Sequence, residues 1–165
     1  MSLRNLERKF RCENLAAAEA AASQLGAIDH GILQQADYFF PAAQARLKLR
    51  IINGDDAELI CYRRMDSTEA RISEYTRVAI ADADGLKQAL TTALGEPREL
   101  LKTRHLFIYK STRIHLDDVK RLGLFVELET VISTQSLEEA KAEIAFVTRK
   151  MKLEDAVATA YVDLL

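Results

Sequence analysis

Residues 46–51 read Arg-Leu-Lys-Leu-Arg-Ile, a strict alternation of basic and apolar side chains. In an extended strand successive side chains leave on opposite faces, so Arg46, Lys48 and Arg50 share one face while Leu47, Leu49 and Ile51 share the other. The pattern recurs at 113–117, where Arg113, His115 and Asp117 oppose Ile114 and Leu116. At 125–131 it turns acidic, with Glu127 and Glu129 opposite Val126 and Leu128. Further strand candidates at 4–12, 36–40, 57–64, 71–80 and 99–109 bring the number to eight, most of them joined by short connections. Two architectures answer this pattern. Charged faces can point to solvent around an apolar sandwich or barrel core, or inward to line the lumen of a closed barrel whose apolar outside is covered by helices. Alternation alone favours the first, because any antiparallel strand with one wet face shows it.

Helices are fewer and their ends are written in the sequence. Asn14 is placed to cap LAAAEAAASQL, and Gly26 to end it in a left-handed conformation. Asp82 or Asp84 starts a second around GLKQALTTAL, closed by Gly95 and Pro97. Ser136 and Glu139 have capping-box spacing ahead of a third, LEEAKAEIAFVTRKM, and a short fourth is expected through EDAVATAYVDLL. No low-complexity linker or repeat divides the chain, so residues 1–165 read as a single α+β domain, mainly antiparallel β, with helices packed on one sheet.

Composition excludes several classes. With 23 Lys plus Arg against 25 Asp plus Glu, the net charge of −2 argues against a nucleic-acid binder. No apolar run approaches the roughly 20 residues of a membrane span, and the opening MSLRNLERKF is too charged for a secretory signal, so a cytoplasmic protein without membrane association is expected. Cys12 and Cys61 form no Cys-x-x-Cys pair, the three histidines form no zinc-binding pair, and neither GxGxxG, GxxxxGK[ST] nor GxSxG is present.

The remaining chemistry lies in carboxylates and bases on the strands. Glu7 and Lys9 share one strand face near the N-terminus, as Glu127 and Glu129 do near the C-terminus. Oxygen-only clusters suit hard cations such as Mg²⁺ or Mn²⁺. Between them lie Arg46, Lys48, Arg50, Arg63, Lys102, Arg104 and Arg113, each on an expected strand. A triphosphate carries about four negative charges, and one opposite charge at 4 Å is worth about 4 kcal/mol at an effective dielectric constant of 20, before desolvation. Several bases around one cavity could hold it, with a metal bridging phosphate oxygens to the carboxylates.

The phrases LERKF, QADYFF at 35–40, LKLR at 47–50, CYRR at 61–64, KTR at 102–104, IHLDDVKRLGLFVELE at 114–129 and AYVDLL at the end resemble the CYTH superfamily of triphosphate tunnel metalloenzymes, in that family's order. The block 114–129 is the most specific. The resemblance implies an eight-stranded antiparallel tunnel with a charged lumen that binds a triphosphate and a divalent metal. It assigns Glu7, Glu127 and Glu129 to Mg²⁺ or Mn²⁺, and Lys9, Lys48, Arg50, Arg63, Lys102 and Arg104 to phosphate, with Arg46 and Arg113 added by strand parity. Lys9 and Asp117 are the catalytic candidates, Asp117 as a metal neighbour or as an orienter of basic side chains. Asn5 stands where the family's signature has its first acid, so a neutral amide replaces a carboxylate at one of two metal positions. His115 has lumen parity and an ordinary pKa of about 6.5, and Tyr38, Phe39 and Phe40 read as packing.

Family members that share this tunnel include class IV adenylate cyclases, thiamine triphosphatases and inorganic triphosphatases. QADYFF, the block 114–129 and AYVDLL look closest to the cyclases, which convert ATP to cyclic AMP and pyrophosphate, although those commonly carry His-Phe where this chain has MSLRN. The expected partner is therefore a small triphosphate (ATP, thiamine triphosphate or inorganic triphosphate), and the resemblance allows a homodimer. Loss of the first acid also motivates a reading as a non-catalytic nucleotide or polyphosphate binding module.

Overall fold

The computed structural model describes residues 2–165. Its strands are β1 (Leu3–Arg11), β2 (Ile28–Phe40), β3 (Arg46–Ile52), β4 (Asp56–Arg63), β5 (Arg71–Ile80), β6 (Arg98–Tyr109), β7 (Thr112–Val119) and β8 (Gly123–Ile132). The helices are α1 (Leu15–Leu25), α2 (Ala83–Leu94) and α3 (Leu137–Lys150), followed by one 3-10 turn at Tyr161–Leu164. The strands close into an antiparallel barrel in the order β1-β5-β4-β3-β2-β6-β7-β8, so among the described residues every strand has a neighbour on both sides.

The charged faces point inward. Leu49 is fully buried on the outside of β3, in a cluster with Phe40 and Ala57 that Leu86 and Leu90 of α2 complete. Leu6, Phe10, Ile114, Leu116, Val126 and Leu128 form the outer face of β1, β7 and β8 and are covered by Ala18 and Ala22 of α1 and by Ala140, Ile144 and Val147 of α3. Burying each large aliphatic side chain contributes about 1.5–3 kcal/mol. The hydrophobic core is thus the shell between barrel and helices: the closed barrel with a charged lumen that the resemblance implies is the form observed, and the solvated-face form that alternation alone favours is not. Period two fixes which residues share a face but not which face is covered, and the helices supply that cover.

The helix ends follow their local chemistry. The Asn14 side chain accepts from Ala17 N at 3.2 Å, and Gly26 takes φ 88°. Asp82, rather than Asp84, caps α2, and Ser136 and Glu139 form both bonds of the capping box. Two expectations are corrected. β2 begins at Ile28, well before 36, because IDHGILQQ does not alternate and a bulge with Gly31 at φ 87° interrupts its register between Asp29 and Ile32. The fourth helix is reduced to the 3-10 turn, because residues 155–157 pair their backbone with β1 instead: Arg11 N donates to Asp155 O and Val157 N to Lys9 O. Among the described residues no helix is long and apolar enough to cross a membrane.

Candidate active site in the barrel lumen

The lumen is a cavity of about 240 Å³. Eight Lys and Arg side chains line it against five Asp and Glu, an excess of positive charge inside a chain whose net charge is −2. That excess favours an anionic guest, because charges held in a low-dielectric cavity are poorly screened.

One wall is built by β2, β3 and β6 around Asp37. Register sets Asp37 opposite Arg50, and Lys102 comes from β6 on the other side of β2. Arg50 grips Asp37 bidentately at 2.7 and 2.8 Å, while Lys102 Nζ and Lys48 Nζ donate to Oδ2 at 3.1 and 3.3 Å. Burial alone would raise the Asp37 pKa, but Arg50, Lys102 and Lys48 hold it well below the usual carboxylate range. Burial pushes the Lys102 ammonium down to about 7 against the pull of Asp37. Three cations on one carboxylate leave surplus positive charge for phosphate oxygens.

The adjoining stretch of wall, from β1, β7 and β8, brings Glu7, Glu127 and Glu129 together beside Lys9, Arg113 and His115. Register pairs Glu7 with Glu129 and Lys9 with Glu127 across β1 and β8, and Arg113 with Glu129 and His115 with Glu127 across β7 and β8. Like charges directly opposite each other are destabilising unless a cation joins them. Burial, then Glu129 and Glu127, push the Glu7 carboxyl up to about 7. Burial would raise Glu127 too, but Lys9, His115 and Arg104 hold it well below the carboxylate range. Lys9 Nζ lies 3.4 Å from Glu127 Oε2, Arg113 Nη2 donates to Glu129 Oε2 at 2.9 Å, and Arg64 Nη1 lies 3.7 Å from Glu7 Oε2. Ligand atoms of His115, Glu127 and Glu129 all lie within 4.8 Å of one another. Carboxylate oxygens beside an imidazole nitrogen fit a divalent cation, so this wall suits the metal that the resemblance implies.

The C-terminal residues close one end. Tyr161 donates its hydroxyl to Asp117 Oδ2 at 2.7 Å, its ring lies 3.6 Å beneath Lys9 Nζ, and it meets Phe125 edge-on at 4.9 Å. Asp163 pairs with Arg46 at the rim.

Placement of the expected residues is mixed. Lys9, Lys48, Arg50, Lys102, Arg104, Arg113, Glu7, Glu127 and Glu129 all line the cavity. Arg63 does not: it lies on the outer face of β4 and donates to Gln44 O at 3.2 Å. Only one of two adjacent residues can face inward, and here it is Arg64. Arg46 has lumen parity but sits at the rim, one-third exposed, held by Asp163. Asp117 is completely buried and is not among the residues that line the cavity; Arg104 Nε and Nη2 both donate to it at 2.7 Å, the arrangement of an orienter of that base. Sequence reasoning missed Asp37 and Tyr161, although both lie in phrases that carry the resemblance, and it missed Arg64. Among the described residues, Nε of Arg64, Nε and Nη2 of Arg71, Nε of Arg113 and Nδ1 of His115 are buried without a hydrogen-bond partner. Buried polar atoms left unpaired are costly; the guanidinium donors among them are of the kind a bound anion satisfies, whereas the imidazole nitrogen, when unprotonated, is a lone pair suited to a cation.

A closed eight-stranded barrel whose polar lumen carries a cluster of bases and a cluster of carboxylates defines a tunnel fold with a charged interior. The chain matches the CYTH domain over residues 3–161 and belongs to that family. Its fold is similar to that of the PH1012 protein from Pyrococcus horikoshii, with 26% identity, a TM-score of 0.85, and coverage of 98% of this chain and 99% of that one. A candidate adenylate cyclase from Vibrio parahaemolyticus is 19% identical with a TM-score of 0.77, covering 97% of this chain and 96% of the other. A candidate adenylyl cyclase from Hippeastrum, described as having a dominant triphosphatase activity, is 15% identical with a TM-score of 0.64, covering 94% and 91%. Among curated proteins none matches the chain.

Proposed function

We propose that this protein is a divalent-metal-dependent enzyme that acts on a triphosphate held in the lumen, in the manner of a class IV adenylate cyclase, and that residues 1–165 work as one catalytic domain. The observation that carries this reading is the meeting of two clusters in one cavity: Lys48, Arg50 and Lys102 around Asp37, and Glu7, Glu127 and Glu129 on β1 and β8. A polyphosphate chain in that cavity takes phosphate contacts from Lys9, Lys48, Arg50, Arg64, Lys102 and Arg104. Their charge stabilises the oxygens on which negative charge builds as a phosphorus–oxygen bond breaks. Arg104 is pre-oriented by its fork on Asp117, so little entropy is lost when it meets phosphate. Glu7, Glu127 and Glu129 would hold Mg²⁺ or Mn²⁺, which when bound supplies charge neutralisation and polarises the phosphorus.

Two reactions fit this frame. In the cyclase, the ribose 3′-hydroxyl attacks the α-phosphorus and pyrophosphate leaves; in the triphosphatase, water attacks a terminal phosphorus and orthophosphate leaves. The phrases QADYFF and AYVDLL, which contribute Asp37 and Tyr161 to the lumen, look closest to the class IV cyclases, and that resemblance favours the cyclase. Purified protein is tested with ATP, thiamine triphosphate and inorganic triphosphate, each with Mg²⁺, Mn²⁺ or chelator. Cyclic AMP and pyrophosphate establish the cyclase, and orthophosphate the triphosphatase. Binding without metal-dependent product overturns both and leaves a binding module.

A further inference from the structure

We infer that His115 is a metal ligand, and that its nitrogen makes this tunnel prefer a first-row transition ion such as Mn²⁺ to Mg²⁺. The inference rests on the proposed metal-dependent reading and goes beyond it in naming a donor and a metal preference. His115 is 4% exposed, and its Nδ1 is aimed at the acidic wall without a hydrogen-bond partner. The nearest carboxylate atom, Glu127 Oε1, lies 3.5 Å away. A buried imidazole nitrogen left without a partner is costly, and a cation between it and the carboxylates removes that cost.

The geometry needs little adjustment. Donor atoms of His115, Glu127 and Glu129 lie within 4.8 Å of one another. Around an octahedral ion with bonds of about 2.1 Å, neighbouring donors stand about 3 Å apart and opposite ones about 4.2 Å. The three side chains therefore close on an ion by movements of tenths of an ångström to about an ångström. Register holds them ready, since His115 is paired with Glu127 and Arg113 with Glu129 on adjoining strands. Each carboxylate is already steered through Oε2, Glu127 by Lys9 and Glu129 by Arg113, so neither side chain is free to swing away.

The chemical consequence concerns which ion is held. Mg²⁺ is bound through oxygen and keeps several waters, whereas an imidazole suits transition ions and strengthens their binding along the series from Mn²⁺ to Cu²⁺. Asn5 acts in the same direction. It lines the cavity where the resemblance expects an acid, and its amide lies 3.4 Å from Glu129 Oε2. A site with one carboxylate fewer and one nitrogen more loses charge, which Mg²⁺ depends on, and gains a donor that Mg²⁺ uses poorly.

The test is pulsed electron paramagnetic resonance on the full chain loaded with Mn²⁺ alone, combined with Mn²⁺ and Mg²⁺ titrations. Wild type is expected to show nitrogen modulation from one directly bound imidazole and to bind Mn²⁺ at least about tenfold more tightly than Mg²⁺. His115→Gln is expected to bind Mn²⁺ with the modulation gone and the preference reduced, while His30→Gln and His105→Gln, both on the outside, keep it. Because the wild-type spectrum needs no variant, a His115→Gln protein that fails to fold does not protect the inference. Bound Mn²⁺ without nitrogen modulation overturns the role of His115 and leaves the metal-dependent reading standing; no Mn²⁺ binding overturns both. Modulation in a protein that turns over none of the three triphosphates supports the ligand and overturns the enzymatic reading.

Discussion

The two walls of the lumen use the same strand pattern to opposite ends. On β2, β3 and β6 three bases crowd one acid; on β1 and β8 three acids gather around one strand pairing, with Lys9, Arg113 and His115 beside them. The first arrangement is satisfied internally, since every Asp37 oxygen has a donor within 3.3 Å. The second is not, because Glu7 is pushed up to about 7 by burial and by its carboxylate neighbours. A preformed ion cluster holds its geometry before a guest arrives, whereas an underneutralised acidic wall changes state when a cation arrives. The Asp37 cluster is thus neutralised from within the chain, and the carboxylates of β1 and β8 are the part on which the proposed metal would act.

The largest expected effect comes from breaking the Asp37 cluster. Asp37→Asn leaves Lys48, Arg50 and Lys102 buried without their counter-charge and is expected to cost about 3–5 kcal/mol of stability, read by urea denaturation. The pH dependence follows from the sign of the shift. Asp37 is depressed in the folded state, so its ionisation stabilises the fold fully above about pH 4 and is lost as pH falls through the lower folded-state value. Wild type should therefore lose stability on acidification below pH 4 more steeply than Asp37→Asn. An equal slope in the two proteins refutes the cluster's role.

On the acidic wall, Glu127→Ala and Glu129→Ala are expected to lower metal-dependent turnover by roughly a hundredfold with the circular dichroism spectrum retained. Turnover unchanged in both would remove the metal from this wall. Lys48→Ala and Arg50→Ala should weaken triphosphate binding by about tenfold each, with a larger loss at low salt than at high salt. Calorimetry showing equal affinity for both variants and wild type would remove these residues from the guest. The smallest change, Asn5→Glu, adds a carboxylate beside Glu129 and should lower the Mg²⁺ concentration needed for half-maximal turnover several-fold. An unmoved metal titration would show that residue 5 does not contribute to the cation site.

The contrast between Lys48 and Arg63 shows how far sequence carried the site. In 46–51 every second residue is charged and the others are aliphatic, so one parity assignment places Lys48 and Arg50 together. In 57–64 apolar residues occupy both faces, with Leu59 outward and Ile60 inward, and two arginines follow in succession. Nothing local separates Arg63 from Arg64 there, and the choice falls to the pairing of Tyr62 with Tyr75 on β5 and with Arg46 on β3. Asp37 was illegible for a related reason: a single acid before Tyr-Phe-Phe has no alternation around it, and its three partners come from two other strands.

Sequence by itself determined the eight strands, the three capped helices and the sharing of faces within each alternating strand, because backbone geometry and capping are local. It also determined the chemical kinds of side chain available to the lumen. The tertiary structure decided that the charged faces point inward, that Arg64 replaces Arg63, that Asp117 stands behind Arg104, and that Tyr161 closes one end beside Lys9. Each of these is a relation between strands distant in sequence, fixed only when the barrel closes and the helices cover its apolar outer face.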